Sequence, residues 1–266
     1  MSYLKAGLSL LVLCIIMSTT NAKASSFKEC QVPLTLSSTT DWYPYIYQQK
    51  NISYGVDVEL LQLILEQMDC QLEILHFPER RSLFELSSGN FDIALGASRT
   101  KDREQKFHYS VAYRKEQNRF VYRANDSKLT KINSLQGIIA AKKIIAINLA
   151  GWYGDEIEQA KSLYNGFIFS DTVNKRLKML SYQRVDLVID DDIVLCSEVE
   201  RSSLPNLALH PLILSTASIH FIFNKQTVSL DFIRRFNQIL TSMRTSGELE
   251  ALYHQQLPAS CINPIP

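Results

Sequence analysis

Two stretches of the chain end in groups suited to holding a small polar molecule. Leu86-Ser87-Ser88-Gly89-Asn90-Phe91-Asp92-Ile93-Ala94-Leu95 and Leu180-Ser181-Tyr182-Gln183-Arg184-Val185-Asp186-Leu187-Val188-Ile189 share one pattern: Leu-Ser, three residues, an apolar residue, Asp, three apolar residues. Directly after them come Gly96-Ala97-Ser98 and Asp190-Asp191-Asp192. A helix end turning into a central strand produces such a pattern, and open α/β sheets bind ligands just beyond the carboxyl ends of their strands. The chemistry on offer is recognition, with backbone and hydroxyl hydrogen bonds on one side and carboxylates on the other. Asp191 and Asp192 have a competing use, because either suits the cap of a following helix.

Bond-making chemistry has less support. His76, His108, His210, His220 and His254 are scattered, without metal-ligand spacing and without an evident Ser-His-Asp or Cys-His partnership. No metal and no cofactor is expected. Beyond Cys14 the chain holds Cys30, Cys70, Cys196 and Cys261, with no Cys-x-x-Cys among them. In an exported protein that even number favours disulfides over zinc. Cys30 precedes the apolar run 32–36 and Cys70 the run 72–77, so if these are adjacent parallel strands their first residues bring the two sulfurs together. Cys196 and Cys261 are then the remainder. Three connectivities are possible in principle, and buried thiols are the alternative for either pair.

The elements that must position these groups alternate. Residues 34–38 read as a strand; Leu60, Leu61, Ile64, Leu65 and Met68 recur at helical spacing; 72–77 reads as a strand, 81–88 as a helix and 91–95 as a strand. After a connector the rhythm returns, with strands at 144–147, 166–169 and 185–189 and helices at 155–164 and 171–182. This alternation argues for parallel sheets in two lobes. The last third carries an extended run at 218–224, then an amphipathic helix with Leu230, Ile233, Phe236, Ile239, Leu240 and Met243, broken at Gly247.

With 46% hydrophobic and 21% charged residues, the 266-residue chain is foldable and large enough for one core or two. Its 28 Lys+Arg against 27 Asp+Glu, never more than two basic residues in a row, lack the electrostatic footprint of a nucleic-acid binder. Residues 1–24, with Lys5, an apolar stretch over 8–17 and a small polar segment ending Ala22-Lys23-Ala24, read as a signal peptide. Leu13 before Cys14 departs from a lipoprotein box, so a soluble, exported, periplasmic protein is expected.

At this point the sequence resembles the family 3 extracellular solute-binding proteins, the periplasmic amino-acid receptors of ABC importers. The resemblance rests on the order and spacing of several segments: Asp41-Trp42-Tyr43-Pro44-Tyr45, Gly55-Val56-Asp57-Val58-Glu59, Thr100-Lys101-Asp102-Arg103 with Ser110 and Tyr113 beyond it, and Val185-Asp186-Leu187-Val188-Ile189-Asp190-Asp191. It implies an α/β, two-lobed periplasmic binding protein type II fold, each lobe a mostly parallel sheet flanked by helices. Lobe 1 would comprise 25–121 and 222–266 and lobe 2 122–221, with hinge strands near 119–123 and 218–223.

Carried over position by position, the resemblance makes Arg103 the arginine that grips a ligand carboxylate, a task its planar fork suits. Asp191 becomes the receiver of the α-ammonium. Ser98 and the Gly96 backbone would hydrogen-bond the ligand from the first lobe. Gly151-Trp152 would open a helix toward it from the second. Trp42 would cover it; Tyr43 and Tyr45 alternate away from Trp42 if that segment is extended. Arg81 would line the pocket. The stretch from Asp92 to Thr100 is one residue shorter than in well-known amino-acid binders. The implied protein is a monomeric, non-enzymatic receptor for an amino-acid-like ligand, delivering it to the permease of an ABC importer. The rivals are a periplasmic sensor acting on a separate membrane partner and a dehydratase-like enzyme on the same fold.

Overall fold

The structure is a computed structural model describing residues 27–38, 41–76, 79–149 and 151–261. The leader expected at 1–24 lies outside the described residues. The first lobe begins with β1 (Leu34–Ser38), the short strands β2 (Asp41–Trp42), β3 (Ile46–Gln49) and β4 (Ile52–Tyr54), then α1 (Val56–Glu66), β5 (Leu72–His76), α2 (Glu79–Ser87), β6 (Ile93–Ser98), α3 (Lys101–Lys106) and β7 (Phe107–Tyr109). β8 (Arg114–Arg123) crosses to the second lobe, built from α4 (Leu135–Ala140), β9 (Ile145–Ile147), α5 (Asp155–Leu163), β10 (Phe167–Phe169), α6 (Val173–Ser181), β11 (Leu187–Asp191) and α7 (Asp192–Ser202). β12 (Leu207–Asn224) returns to the first lobe, where α8 (Leu230–Ser246) and α9 (Glu248–Gln256) pack beside α1.

Within each lobe the core strands run parallel, β5-β1-β6 in the first and β10-β9-β11 in the second. The antiparallel pair β8 and β12 joins the two groups into one continuous sheet, in the order β10-β9-β11-β8-β12-β6-β1-β5, while β2, β3 and β4 form a separate small sheet. β11 takes up β8 from Asn118 onward, and Ile219 of β12 already pairs with Ser98 of β6. The passage between lobes therefore falls near 114–118 and 215–219, earlier on both strands than the boundaries expected at 121/122 and 221/222. β12 is also far longer than the apolar run at 218–224. Pro211 cannot donate to the ladder, and the register shifts between Leu209 and Ile213, where Arg119 fills the gap by donating to the His210 carbonyl at 3.0 and 2.7 Å.

Strand alternation distributes the side chains. In β9 and β11, Ile145, Ile147, Leu187 and Ile189 enter one core with Phe120, Ile138 and Ile157. Ala146 and Val188 point the other way, into a core that runs from α6 and α7 through β8 and β12 to α1 and α8. Helix α8 turns Phe232, Phe236, Ile239, Leu240 and Met243 inward. Ser229 caps its start, accepting from the Phe232 N–H at 3.3 Å, and Gly247 ends it at φ +83°. Disulfides join Cys30 to Cys70, with Cα atoms 4.7 Å apart, and Cys196 to Cys261, 5.6 Å apart. The first follows from β1 and β5 being parallel neighbours in register from Leu34 and Leu72.

Candidate functional site

A cavity of about 140 Å³ lies between the lobes, walled by the ends of β6 and β11, with β8 at its base. From the first lobe, Gly96, Ser98, Trp42 and Arg103 line it; from the second, Gly151, Trp152, Thr172, Arg176 and Asp190 do. The paired loops after the two echoed strands thus meet across one space.

Arg103 is set by local geometry. Thr100 caps α3, its hydroxyl accepting from the Arg103 N–H at 3.3 Å, and the guanidinium reaches back to donate to the Ser98 carbonyl at 3.1 Å. Burial pulls its pKa below the ordinary arginine value, against Tyr109, Glu116 and Glu158, and it remains a cation at neutral pH. Gly96 sits at φ +72°, and a Cβ there would come 2.6 Å from the Trp42 ring, so the indole lies against a position that only glycine fills without displacement. The Gly96 N–H is already engaged, donating to the Tyr113 hydroxyl at 3.0 Å.

Trp42 ends β2, and Tyr43, Pro44 and Tyr45 after it form a turn rather than continuing an extended strand. Tyr45 therefore comes back beside Trp42, ring centroids 5.0 Å apart, instead of alternating away from it. The Arg114 guanidinium lies 3.6 Å from the Tyr45 ring centroid and 4.9 Å from that of Trp42. Asp57, fully buried at the start of α1, accepts from the hydroxyls of Tyr113 at 2.5 Å and Tyr253 at 2.6 Å and from Arg114 Nε at 3.3 Å. The Gly-x-Asp segment thus supports the cavity wall from behind.

Asp191 has a different place from the one expected. Its carboxylate is 1% exposed and lies outside the cavity. One oxygen accepts from the Val194 N–H at 3.0 Å and the Tyr45 hydroxyl at 3.2 Å, and the other stands 3.9 Å from Arg114 Nη1. It is the N-cap of α7. Burial, with Glu116 adding to it, pushes its pKa well up against the pull of Arg114. Alternation along β11 turns Asp190, not Asp191, toward the cavity with Val188 facing the α6 side. There Asp190 accepts from Trp42 Nε1 at 3.1 Å and from the Asp191 N–H at 2.9 Å, and pairs closely with Arg176. Gly151 and Trp152 line the cavity without opening a helix, since α5 begins at Asp155 behind Gly154. Arg81 falls on the backbone of α2, and its side chain is outside the described residues.

Thr172, Arg176 and Glu116 are among the lining residues that have no counterpart in the sequence expectations. Thr172 caps α6, accepting from the Lys175 N–H at 3.3 Å. Arg176, fully buried, donates to the carbonyls of Ser170 at 2.7 Å and Asp171 at 3.2 Å. The available signal was a basic residue on the same helical stripe as Val173, Leu177 and Leu180. Glu116, 6% exposed on β8, stands 3.6 Å from Arg114 Nη1. Burial, against Arg114 and reinforced by Asp190 and Asp57, raises its pKa from 4.5 to about 7. Among the described residues, the grouping with metal-ligand distances is Cys196, Glu200 and Cys261, whose sulfurs are joined in a disulfide.

Two lobes of parallel sheet joined by crossing strands, with a polar cavity where the strand ends meet, define a cleft-type binding protein. The description of bacterial extracellular solute-binding proteins, family 3, matches residues 34–258, and the chain belongs to that family. A probable amino-acid-binding protein of Bacillus subtilis (strain 168), YxeM, is 23% identical over 91% of this chain and 89% of its own. Among solved structures, the amino acid ABC transporter substrate-binding protein AbpA from Streptococcus pneumoniae, bound to L-arginine, superposes with a TM-score of 0.75 at 23% identity, covering 88% of this chain and 98% of its own. A histidine kinase sensor domain with similarity to periplasmic binding proteins gives 0.76 at 17% identity, covering 85% and 96%. No helix among the described residues is long and apolar enough to cross a membrane.

Proposed function

We propose that this protein captures a free amino acid or a close relative in the interlobe cavity and hands it, lobes closed, to the permease of an ABC importer. The observation that carries the reading is the pairing of Arg103 on one wall with carboxylates elsewhere on the same cavity, a charge layout complementary to a zwitterion. Arg103 takes the ligand carboxylate, Ser98 supplies a neighbouring hydrogen bond, and Trp42 covers the ligand. Because the ligand touches both lobes, it favours the closed arrangement by its greater affinity for that state. The protein acts as a receptor that releases its ligand chemically unchanged.

The test is thermal unfolding of the purified protein against individual amino acids and other small polar metabolites, since a ligand that binds only the folded state raises the midpoint by mass action. A shift with amino acids, and recovery of the same compound after incubation, supports the reading. A converted compound would make it an enzyme, and no shift with any amino acid would remove the amino-acid reading. The likeness to a sensor domain favours one second reading, in which the closed form is read by a separate membrane partner. Uptake of the bound amino acid that is lost on deleting this protein separates import from signalling.

A further inference from the structure

If an amino acid lies in this cavity, its ammonium group needs a carboxylate, and Asp191 lies outside the cavity, capping α7 through one oxygen with the other turned toward Arg114. The cavity walls hold three others: Asp171, Asp190 and Glu116. Asp190 has both oxygens engaged, by Trp42 Nε1 and the Asp191 N–H on one and by Arg176 on the other. Asp171 sits at the rim, its side chain 60% exposed and 3.8 Å from the Lys175 ammonium. Glu116 is buried at the base of the cavity, on the strand that joins the lobes, and it and Arg103 feel one another's charge.

We propose that Glu116, and not Asp191, receives the ligand's ammonium group, so that this site selects small carboxylates bearing an amine over their amine-free counterparts. This assignment rests on the reading of the cavity as an amino-acid site. The groups around Glu116 fit the role. Arg114 and Asn118 on its own strand attract its charge, and Asp57 from α1, Asp190 and Asp191 from β11 repel it. Arg103 approaches from α3, Tyr45 lies nearby, and across the ladder from β12 stands neutral Ala217. Arg176 lines the same cavity but is occupied with Asp190. Burial, reinforced by Asp190 and Asp57 against the pull of Arg114, holds Glu116 partly protonated near neutrality, and an arriving ammonium would supply the positive charge that lets it ionise. Binding an amine then releases a proton, whereas an amine-free acid at Arg103 makes no such demand.

The experiment titrates the purified protein calorimetrically with each of the twenty L-amino acids and with the α-desamino acid matching any that binds. Glu116→Gln should weaken the amino acid at least thirtyfold and leave the desamino acid within about twofold. Between pH 6 and 8 the wild type should bind the amino acid about tenfold more tightly as Glu116 ionises around pH 7, with the desamino acid nearly flat. The pH series on the wild type decides the matter should the variant fail to fold. Equal losses for both ligands, unchanged affinity, or the same pH dependence for both would overturn the assignment and leave the amino-acid reading standing. No binding of any amino acid by the wild type would remove that reading and this assignment together.

Discussion

Trp42 Nε1 donates a hydrogen bond of 3.1 Å to Asp190 Oδ1, linking the end of β2 in the first lobe to β11 of the second directly across the cavity. The same Asp190 is held by Arg176 from α6, so the indole docks on an anchored acceptor. A hydrogen bond to a charged group contributes about 1.5–3 kcal/mol, and partial exposure of Trp42 puts this one at the lower end. Trp42→Phe keeps a ring over Gly96 but removes the donor. We expect the dissociation constant for whichever amino acid stabilises the wild type to rise about tenfold, measured by calorimetry. An unchanged constant would show that the bridge has no bearing on closure.

Arg103 and Asp191 should separate cleanly in function. Arg103→Ala should cost about 2–5 kcal/mol of binding, the penalty for leaving a ligand carboxylate unpaired in a closed site, with little effect on the unfolding temperature. Asp191→Ala should do the reverse. It strips the cap of α7 and leaves the Val194 N–H without its acceptor, a loss of about 1–2 kcal/mol of stability, while the preference for amine-bearing ligands is kept. Thermal unfolding and titration on both variants check this, and loss of amine selectivity in Asp191→Ala would return the ligand role to that residue.

That reversal also shows where the sequence stops being legible. Periodicity was enough for β1, α1, β5 and α8, because each depends on local pattern, while the position of Cys30 and Cys70 before two runs favoured their disulfide only on the condition, met in the structure, that the runs are paired strands. Gly96 and Ser98 line the cavity at the strand end where position alone pointed, and Trp42, Arg103, Gly151 and Trp152 line it where only the family resemblance had placed them. Asp190-Asp191-Asp192 could not be resolved, since a one-residue shift in a strand exchanges the two faces and three identical side chains carry no phase. Glu116 was hidden for another reason. Its neighbours on β8 gain meaning only when β11 and β12 are placed on either side, a relationship more than sixty residues away in the chain. The small sheet β2-β3-β4 was missed because its strands are of two to four residues.

The free protein should lose stability as pH rises through the window set by Glu116. The folded-state pKa lies above the ordinary value, so between 4.5 and about 7 the folded form binds more protons than the unfolded one. The stabilisation is fully present below 4.5 and declines as pH climbs to about 7, a change on the order of 1–3 kcal/mol. Glu116→Gln, which cannot ionise, should flatten that part of the profile and raise the unfolding temperature at pH 8. Bound amino acid should oppose the trend, since it favours the ionised side chain. A wild type and variant with parallel unfolding profiles from pH 4.5 to 8 would mean that Glu116 titrates in the ordinary carboxylate range.

The Cys196–Cys261 disulfide is the third covalent route between the lobes. Cys196 lies on α7 of the second lobe, and Cys261 follows α9, which packs against α1 of the first. Opening the cleft by rotation about β8 and β12 must therefore carry the segment after α9 along or be restrained by it. Replacing both cysteines by alanine removes a link spanning 65 residues, for which about 2–4 kcal/mol of stability is the ordinary loss. The variant should also open more widely without ligand. Small-angle scattering of the ligand-free proteins should give it the larger radius of gyration, and the two should become equal once an amino acid is bound. Equal radii in the free state would show that β8 and β12 alone set the opening and that the disulfide serves only to hold the end of the chain.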